Sequence, residues 1–218
     1  MQTQKAFKGM GMEGVVAKWY ASNTRKFMDE FQTLAERVAR MTPGRDVLEV
    51  APGPGYFAIE LARRGGYKVT GLDISKTFVE IARANAEEAQ VRADFQQGDA
   101  AHMPFPGDSF DFVLCRAAFK NFTQPVLALQ EMERVLRPGG QALIIDMRRN
   151  ASDQGIQEAV DRMGGGWLNM GLNKFIFRSV LVKRAYTRED FQRFLAEAHF
   201  RRVDITENGI GFEISLTK

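Results

Sequence analysis

Val47-Leu48-Glu49-Val50-Ala51-Pro52-Gly53-Pro54-Gly55-Tyr56-Phe57-Ala58, read with Gly71-Leu72-Asp73, decides the fold. The first stretch is an apolar strand ending in an acid, then a tight Gly/Pro loop, then the start of a helix. The second is another apolar strand ending in an aspartate. Glycine lacks a Cβ, so such a loop lets backbone approach a ligand closely. The helix that follows presents unpaired N–H groups. An acid at the end of the next strand can accept hydrogen bonds from a ribose diol. Together these predict a nucleoside site on an open α/β sheet.

Strand and helix patterns alternate outward from this point. Strands are expected at Asp46–Val50, Lys68–Leu72, Asp94–Gln97, Phe110–Cys115 and Gln141–Met147. Helices are expected at Tyr56–Arg64, at Lys76–Ala89 with Ser75 as N-cap, and at Gln124–Leu136, closed by Arg137-Pro138-Gly139-Gly140. Repeated β-α-β units imply a doubly wound, mostly parallel sheet with right-handed crossovers. Upstream, Phe27, Phe31, Leu34 and Val38 recur at helical spacing, so 12–41 reads as helix up to Thr42-Pro43-Gly44. Downstream, Thr187-Arg188-Glu189-Asp190 is a capping box for a helix running to about His199, which is expected to make a C-terminal cap interaction. Arg201–Glu207, Asn208-Gly209 and Ile210–Leu216 read as a hairpin with a type I′ turn.

The chain divides into an N-terminal helical segment (1–44), a binding core (45–150), a Met- and aromatic-rich segment (151–185) and a C-terminal helix and hairpin (186–218), all in one domain. The third segment contains Met163, Gly164-Gly165-Gly166, Trp167, Met170, Phe175 and Phe177. It is longer than a crossover needs and reads either as core packing or as a cap hinged at the glycines.

Bulk properties exclude several classes. The 218 residues carry 30 basic and 27 acidic side chains for a net charge of +3, too mild to argue for nucleic acid or an anionic membrane. Cys115 is the sole cysteine, so neither an intramolecular disulfide nor a cysteine metal site is expected. The N-terminus lacks an apolar signal core and no long uncharged apolar run occurs, which points to a cytoplasmic protein without a transmembrane segment.

Two cofactor readings compete. Gly53-x-Gly55-x-x-Ala58 fits the dinucleotide pattern, and Asp73 lies 20 residues after Gly53. A nicotinamide-dependent oxidoreductase follows from that motif alone. Against it, Glu49 stands where pyrophosphate would sit and would repel it. A third acid, Asp99, follows the next short strand. Three acids at successive strand ends suit a ligand rich in N–H and O–H donors, positively charged and free of phosphate. S-adenosylmethionine meets that description.

At this point the chain resembles a known family, the class I S-adenosylmethionine-dependent methyltransferases of the UbiE/COQ5-like (type 11) small-molecule group. The resemblance runs from about Asp46 to Met147. It rests on Val47–Gly55, Leu72-Asp73-Ile74-Ser75, Gly98-Asp99-Ala100, Met103-Pro104-Phe105, Ser109-Phe110-Asp111-Phe112-Val113 and Glu131-Met132-x-Arg134-Val135-Leu136-Arg137-Pro138-Gly139-Gly140. It implies a seven-stranded Rossmann-like sheet whose last strand is antiparallel. It further implies that Glu49, Ala51, Gly53 and Gly55 shape the methionine pocket and that Asp73 binds the ribose. Ile74 would pack on adenine, Asp99 and Ala100 would meet its edge, and Cys115 and Arg116 would lie near the reacting methyl. Two departures stand out: Ala51 where the family usually has Gly, and Lys120-Asn121 where many relatives carry a His pair.

Methyl transfer from a sulfonium is an in-line displacement in which alignment does most of the work. The catalytic candidates at strand ends are Lys120 (anchor, base, or a surface lysine), Asp146 (base or substrate contact) and Arg116 (carboxylate anchor, or partner of a nearby acid). Tyr20 either lids the cofactor or packs in the core. His102 reads as a surface histidine, and Cys115 as pocket wall. No metal is expected. Motifs for base amino-methylation, a cytosine nucleophile or an RNA groove are lacking, so the expected partner is a small, partly hydrophobic acceptor methylated at O, N, S or C. An oxidoreductase and a non-catalytic S-adenosylmethionine-binding protein remain the alternatives. The sequence leaves open the acceptor and the oligomeric state.

Overall fold

The computed structural model describes residues 7–8, 11–163 and 181–218. Seven strands form one sheet in the order β3-β2-β1-β4-β5-β7-β6. They are β1 (Asp46–Val50), β2 (Lys68–Asp73), β3 (Ala93–Gln97), β4 (Phe110–Arg116), β5 (Leu136–Met147), β6 (Arg202–Asn208) and β7 (Gly211–Thr217). β1 to β5 run parallel, and β7 lies antiparallel between β5 and β6. Among the described residues the helices of eight residues or more are α1 (Gly14–Thr24), α2 (Met28–Met41), α3 (Tyr56–Arg63), α4 (Lys76–Glu88), α5 (Pro125–Val135), α6 (Asp153–Met163) and α7 (Arg188–Leu195), with a 3₁₀ turn at Arg25–Phe27 between the first two.

Strand alternation sorts the core into two layers. Val47, Phe112, Leu114 and Leu143 face α2, α3 and α4, while Leu48, Val50, Val113, Cys115 and Ile144 face α5 and α7. This two-sided burial explains why the strands read as continuous apolar runs. Ser75 caps α4 by accepting from the Phe78 N–H at 3.0 Å, and the Thr187 capping box opens α7.

The structure departs from the sequence reading in four places. The single expected N-terminal helix is broken at Arg25–Phe27. Leu136–Gly140 is not a closing loop but the start of β5: α5 ends as Leu136 turns extended (ψ 140°), and Leu136 pairs with Phe110 ahead of a register shift. α7 stops at Leu195, so His199 lies beyond it and does not cap it. The hairpin pairs one residue further than expected, Asn208 with Gly211. Its two-residue loop is Gly209-Ile210 with φ positive at Gly209 alone, the II′ pattern rather than I′. Residues 164–180 of the expected cap, its glycine triplet included, lie outside the described residues.

Candidate functional site

The register places the site. Glu49 pairs with Gly71 and Leu114, Val50 with Cys115, and Asp73 with Gln97. The ends of β1, β2 and β4 therefore meet where the strand order reverses, the crevice in which open α/β sheets bind ligands.

The loop after β1 is drawn around two buried acids. Asp73 accepts from the Gly53 N–H at 2.9 Å and, through its other oxygen, from the Ser75 N–H at 2.9 Å. Glu49 accepts from the Ala58 N–H at 3.1 Å. The Gly55 N–H donates to the Pro52 carbonyl at 3.1 Å. These N–H groups of the fingerprint loop, which a dinucleotide fold would turn toward pyrophosphate, are all engaged internally. Burial pushes Glu49 up to about 8 and Asp73 up to about 6, partly offset by the N–H groups that each accepts. A donor-rich cation fits this pair of acids; a phosphate does not.

Gly55 is required sterically. Its φ is 77°, and a Cβ there would stand 2.8 Å from Phe95 and 2.9 Å from Ala82. Ala51 also takes a left-handed conformation, with φ 56°. That is why glycine suits the position: an alanine there is strained by about 1–2 kcal/mol. Ala51→Gly is expected to raise stability by about 0.5–1 kcal/mol after the entropy of the freer unfolded chain is subtracted. Urea unfolding checks this, and a neutral or lower stability would remove the strain account.

The third acid lies further out. Asp99 is half-buried and accepts from the Ala101 N–H at 2.9 Å. His102 sits 3.6 Å from it and is exposed, as expected of a surface histidine. Ile74 and Ala100 are both partly buried beside these acids. Tyr20 is 36% exposed, so it is not core. Its ring packs edge-on against Phe78, and a Cβ on Gly53 would come within 4.0 Å of it. α1 is held in that position by Tyr56, whose hydroxyl donates to the Ala21 carbonyl at 2.9 Å. Glu13 contributes too, accepting from the Lys76 and Thr77 N–H groups at 3.0 and 3.1 Å. Sequence reading missed Glu13; the signal was an acid just ahead of a helix, and only the fold reveals that it caps a different one.

The catalytic candidates are not brought together. Arg116 shares the Leu114 face, where it pairs with Glu30 at 2.9 Å and lies over Phe31, so the expected pairing with a nearby acid is present. It borders a groove of about 380 Å³ beneath α2, also lined by Arg37, Ile145 and Glu213. A groove of about 580 Å³ lies at the opposite, amino edge of β2 and β3, away from the acids. Lys120 and Asp146 are on the other face and bonded to each other at 2.9 Å, with side chains 5% and 1% exposed. Lys120 is thus no surface lysine. Its ammonium also donates to the carbonyl of Ala117, a residue in the left-handed region with φ 57°. Asp146 further accepts from the Lys120 and Met147 N–H groups at 2.8 and 2.7 Å. This geometry holds the turn after β4 and leaves neither group an open face. Cys115 is fully buried, and burial with Asp146 nearby pushes its thiol well up, which argues against a nucleophile.

Among the described residues, no group of His, Cys, Asp or Glu could hold a metal ion, and no helix is long and apolar enough to cross a membrane. The family described as "Methyltransferase domain" matches residues 48–144. A demethylmenaquinone methyltransferase of Deinococcus radiodurans is 40% identical over 120 residues, covering 55% of this chain and 49% of its own. The ubiquinone/menaquinone biosynthesis C-methyltransferase UbiE of a Ruegeria species is 34% identical over 122 residues, covering 55% and 48%. The chain thus spans about half the length of the curated relatives it matches. A crystal structure from Methanococcus maripaludis, assigned as an S-adenosyl-L-methionine-dependent methyltransferase, superposes over 100% of this chain and 97% of its own, with TM-score 0.74 at 22% identity; it shows the shared fold. Residues 48–144 thus match the methyltransferase-domain family, and the whole chain shares the fold of the Methanococcus maripaludis structure.

Proposed function

We propose that the protein transfers a methyl group from S-adenosylmethionine to a small, partly hydrophobic ring acceptor, of the quinone class that the names of its curated relatives carry. The observation that supports this best is the loop after β1. Its Gly53, Gly55 and Ala58 N–H groups are engaged, two of them by the buried acids, so it suits a cation with hydroxyls and not a pyrophosphate. The nicotinamide alternative loses its anion site on the same ground.

In this reading Glu49 faces the ammonium of the methionine part, beside Ala51, Gly53 and Gly55. Asp73 uses its remaining lone pairs for the ribose hydroxyls. Ile74, Asp99 and Ala100 receive the adenine, Tyr20 covers the loop from α1, and Cys115 and Arg116 flank the reacting end. When bound, the cofactor supplies an electrophilic methyl on a good leaving group. The chain's part is to orient the acceptor in line with it and to exclude water. Lys120 and Asp146 serve as positioning residues for the turn that carries the acceptor side.

The test is calorimetric titration with S-adenosylhomocysteine, NAD run in parallel, followed by a labelled-methyl screen of ring acceptors. Binding of NAD alone would sink the proposal. Binding of S-adenosylhomocysteine without turnover on any acceptor would favour the non-catalytic reading.

The raised acids give this site a pH signature. In the free protein Glu49 keeps its proton up to about pH 8. A bound ammonium favours the carboxylate, so S-adenosylhomocysteine binding is expected to release a proton below about pH 8 and to tighten as pH rises toward it. The stability of the free protein runs the opposite way. The native state holds protons on Glu49 and Asp73 that the unfolded state loses near 4.5 and 3.8. Stability is therefore full below those values and falls as pH rises, through about 6 for Asp73 and about 8 for Glu49. Titration in buffers of different ionisation enthalpy measures the released proton, and a buffer-independent heat at about pH 7, one unit below the Glu49 value of about 8, would remove Glu49 from the ammonium site.

A further inference from the structure

The corner beyond the carboxyl ends of β4 and β5 holds more cations than acids. Lys8 is fastened there by its backbone, whose N–H donates to the Asn121 carbonyl at 2.6 Å, next to a bridge between Phe7 and Phe122. Its ammonium donates to the Tyr186 hydroxyl at 2.6 Å and stands 4.1 Å from the centre of that ring. Arg149, two residues past β5, is tied to the same tyrosine. Its N–H donates to the Tyr186 carbonyl at 3.0 Å, and its Nε to the Ala185 carbonyl at 2.8 Å. We propose that Lys8 and Arg149 together bind a carboxylate carried by the methyl acceptor, which is thus an acidic ring compound. This rests on the methyltransferase reading and deepens it by naming the charge of the acceptor and the residues that read it.

The acids of this corner are already shared out. Among the described residues the Lys8 ammonium has no carboxylate partner; its bond goes to a neutral hydroxyl. Asp190 is held by Arg193 at 2.7 Å, by Arg149 at 3.7 Å and by the Thr187 N–H at 3.0 Å. Glu207 is divided between Arg148 and Arg188. Counting Glu189 in the first turn of α7, five cations meet three carboxylates here, an excess of two in a chain whose net charge is +3. Burial, and after it the like charge of Arg149, hold the Lys8 ammonium below the usual lysine range.

Two cations that feel each other's charge repel, and an anion set between them removes that cost. A ligand can reach both: Lys8 is half-buried and the Arg149 side chain is 48% exposed. A forked guanidinium beside a compact ammonium matches the two oxygens of a carboxylate. Tyr186 is the positioning residue. It holds the ammonium with its hydroxyl and ring, and that hydroxyl donates in turn to the Phe122 carbonyl at 3.2 Å, in the turn after β4. The pair is therefore anchored beside the β4 and β5 ends, apart from the acids Glu49 and Asp73 on β1 and β2. A carboxylate drawn to this corner turns the acceptor's charged end away from those acids.

The test uses the full chain saturated with S-adenosylhomocysteine and two calorimetric probes of one shape, 1-hydroxy-2-naphthoate and its methyl ester. Wild type is expected to bind the acid at least about tenfold more tightly than the ester. K8Q and R149Q are each expected to weaken the acid about tenfold, to leave the ester unchanged, and to leave S-adenosylhomocysteine affinity as it was. K8E should reverse the preference in favour of the ester. Y186F keeps the ring but frees the ammonium, and should weaken the acid by a smaller factor than K8Q. Substitution of Lys8 leaves Tyr186 its bond to the Phe122 carbonyl, so K8Q and K8E are expected to melt as wild type does. Should R149Q melt lower, the two Lys8 variants decide alone. Equal binding of the two probes, no binding of the acid, or an acid preference that survives K8Q and K8E would overturn the proposal. Sedimentation with anionic vesicles in place of acid binding would overturn it too, and would give the corner to a lipid surface. A wild-type protein that does not bind S-adenosylhomocysteine would overturn the methyltransferase reading beneath it.

Discussion

Asp73→Asn is expected to weaken S-adenosylhomocysteine binding about 100-fold while the protein stays folded. The carboxylate ties the loop after β1 to the start of α4 through the Gly53 and Ser75 N–H groups. Its remaining lone pairs are the acceptors offered to the ribose. An amide of the same shape keeps one oxygen and turns an N–H₂ group toward one of those two donors. It therefore loses charge-assisted acceptance on both fronts, each hydrogen bond to a charged group being worth about 1.5–3 kcal/mol. Folding suffers less, because the charge that is lost was itself costly to bury, as the rise of Asp73 to about 6 shows. Calorimetric titration measures the first effect and thermal melting the second. An unchanged affinity would mean the ribose sits elsewhere and that Asp73 serves only to shape the loop.

Asp73 also marks what the sequence could and could not convey. Strand ends, the glycine loop and the three acids were legible because they depend on local pattern: apolar runs of fixed length, punctuated by Gly/Pro and closed by a carboxylate. The seven strands and the antiparallel last one followed from the resemblance and from the hairpin; their order did not. The partners of the acids were not legible. That Glu49 reaches the Ala58 N–H, or that Glu13 caps a helix 63 residues away, depends on how separate segments are packed. Boundaries failed where two rules conflicted. Pro138-Gly139-Gly140 reads as loop by propensity, yet pairing between β4 and β5 draws Leu136 and its neighbours into the strand. Most consequential was the side of the sheet. Arg116 and Asp146 fall near strand ends and Lys120 in the turn after one, but period-two alternation puts Arg116 on the α2 face and Asp146, with the Lys120 bound to it, on the α5 face. A one-dimensional reading of strand ends merges what the sheet divides.

That division bears on Lys120→Met, which is expected to destabilise the protein by about 3–5 kcal/mol. The ammonium lies against Asp146 with both side chains almost fully enclosed, so its removal leaves a carboxylate buried without its cation. It also removes a donor from the Ala117 carbonyl, at a residue already strained by its left-handed φ of 57°. A second substitution separates charge from packing. In K120M/D146N the stranded charge is gone, while the new amide oxygen still meets one of the two backbone N–H groups that Asp146 satisfied. The double variant should therefore recover about half of the loss, whereas D146N alone should be destabilised because it strands the ammonium instead. Urea unfolding of the three variants forms the cycle. A loss below about 1 kcal/mol for Lys120→Met would show that the pair is not what holds the turn after β4. Lys120 would then be free for chemistry on the acceptor, and the base role weighed for it from sequence would return.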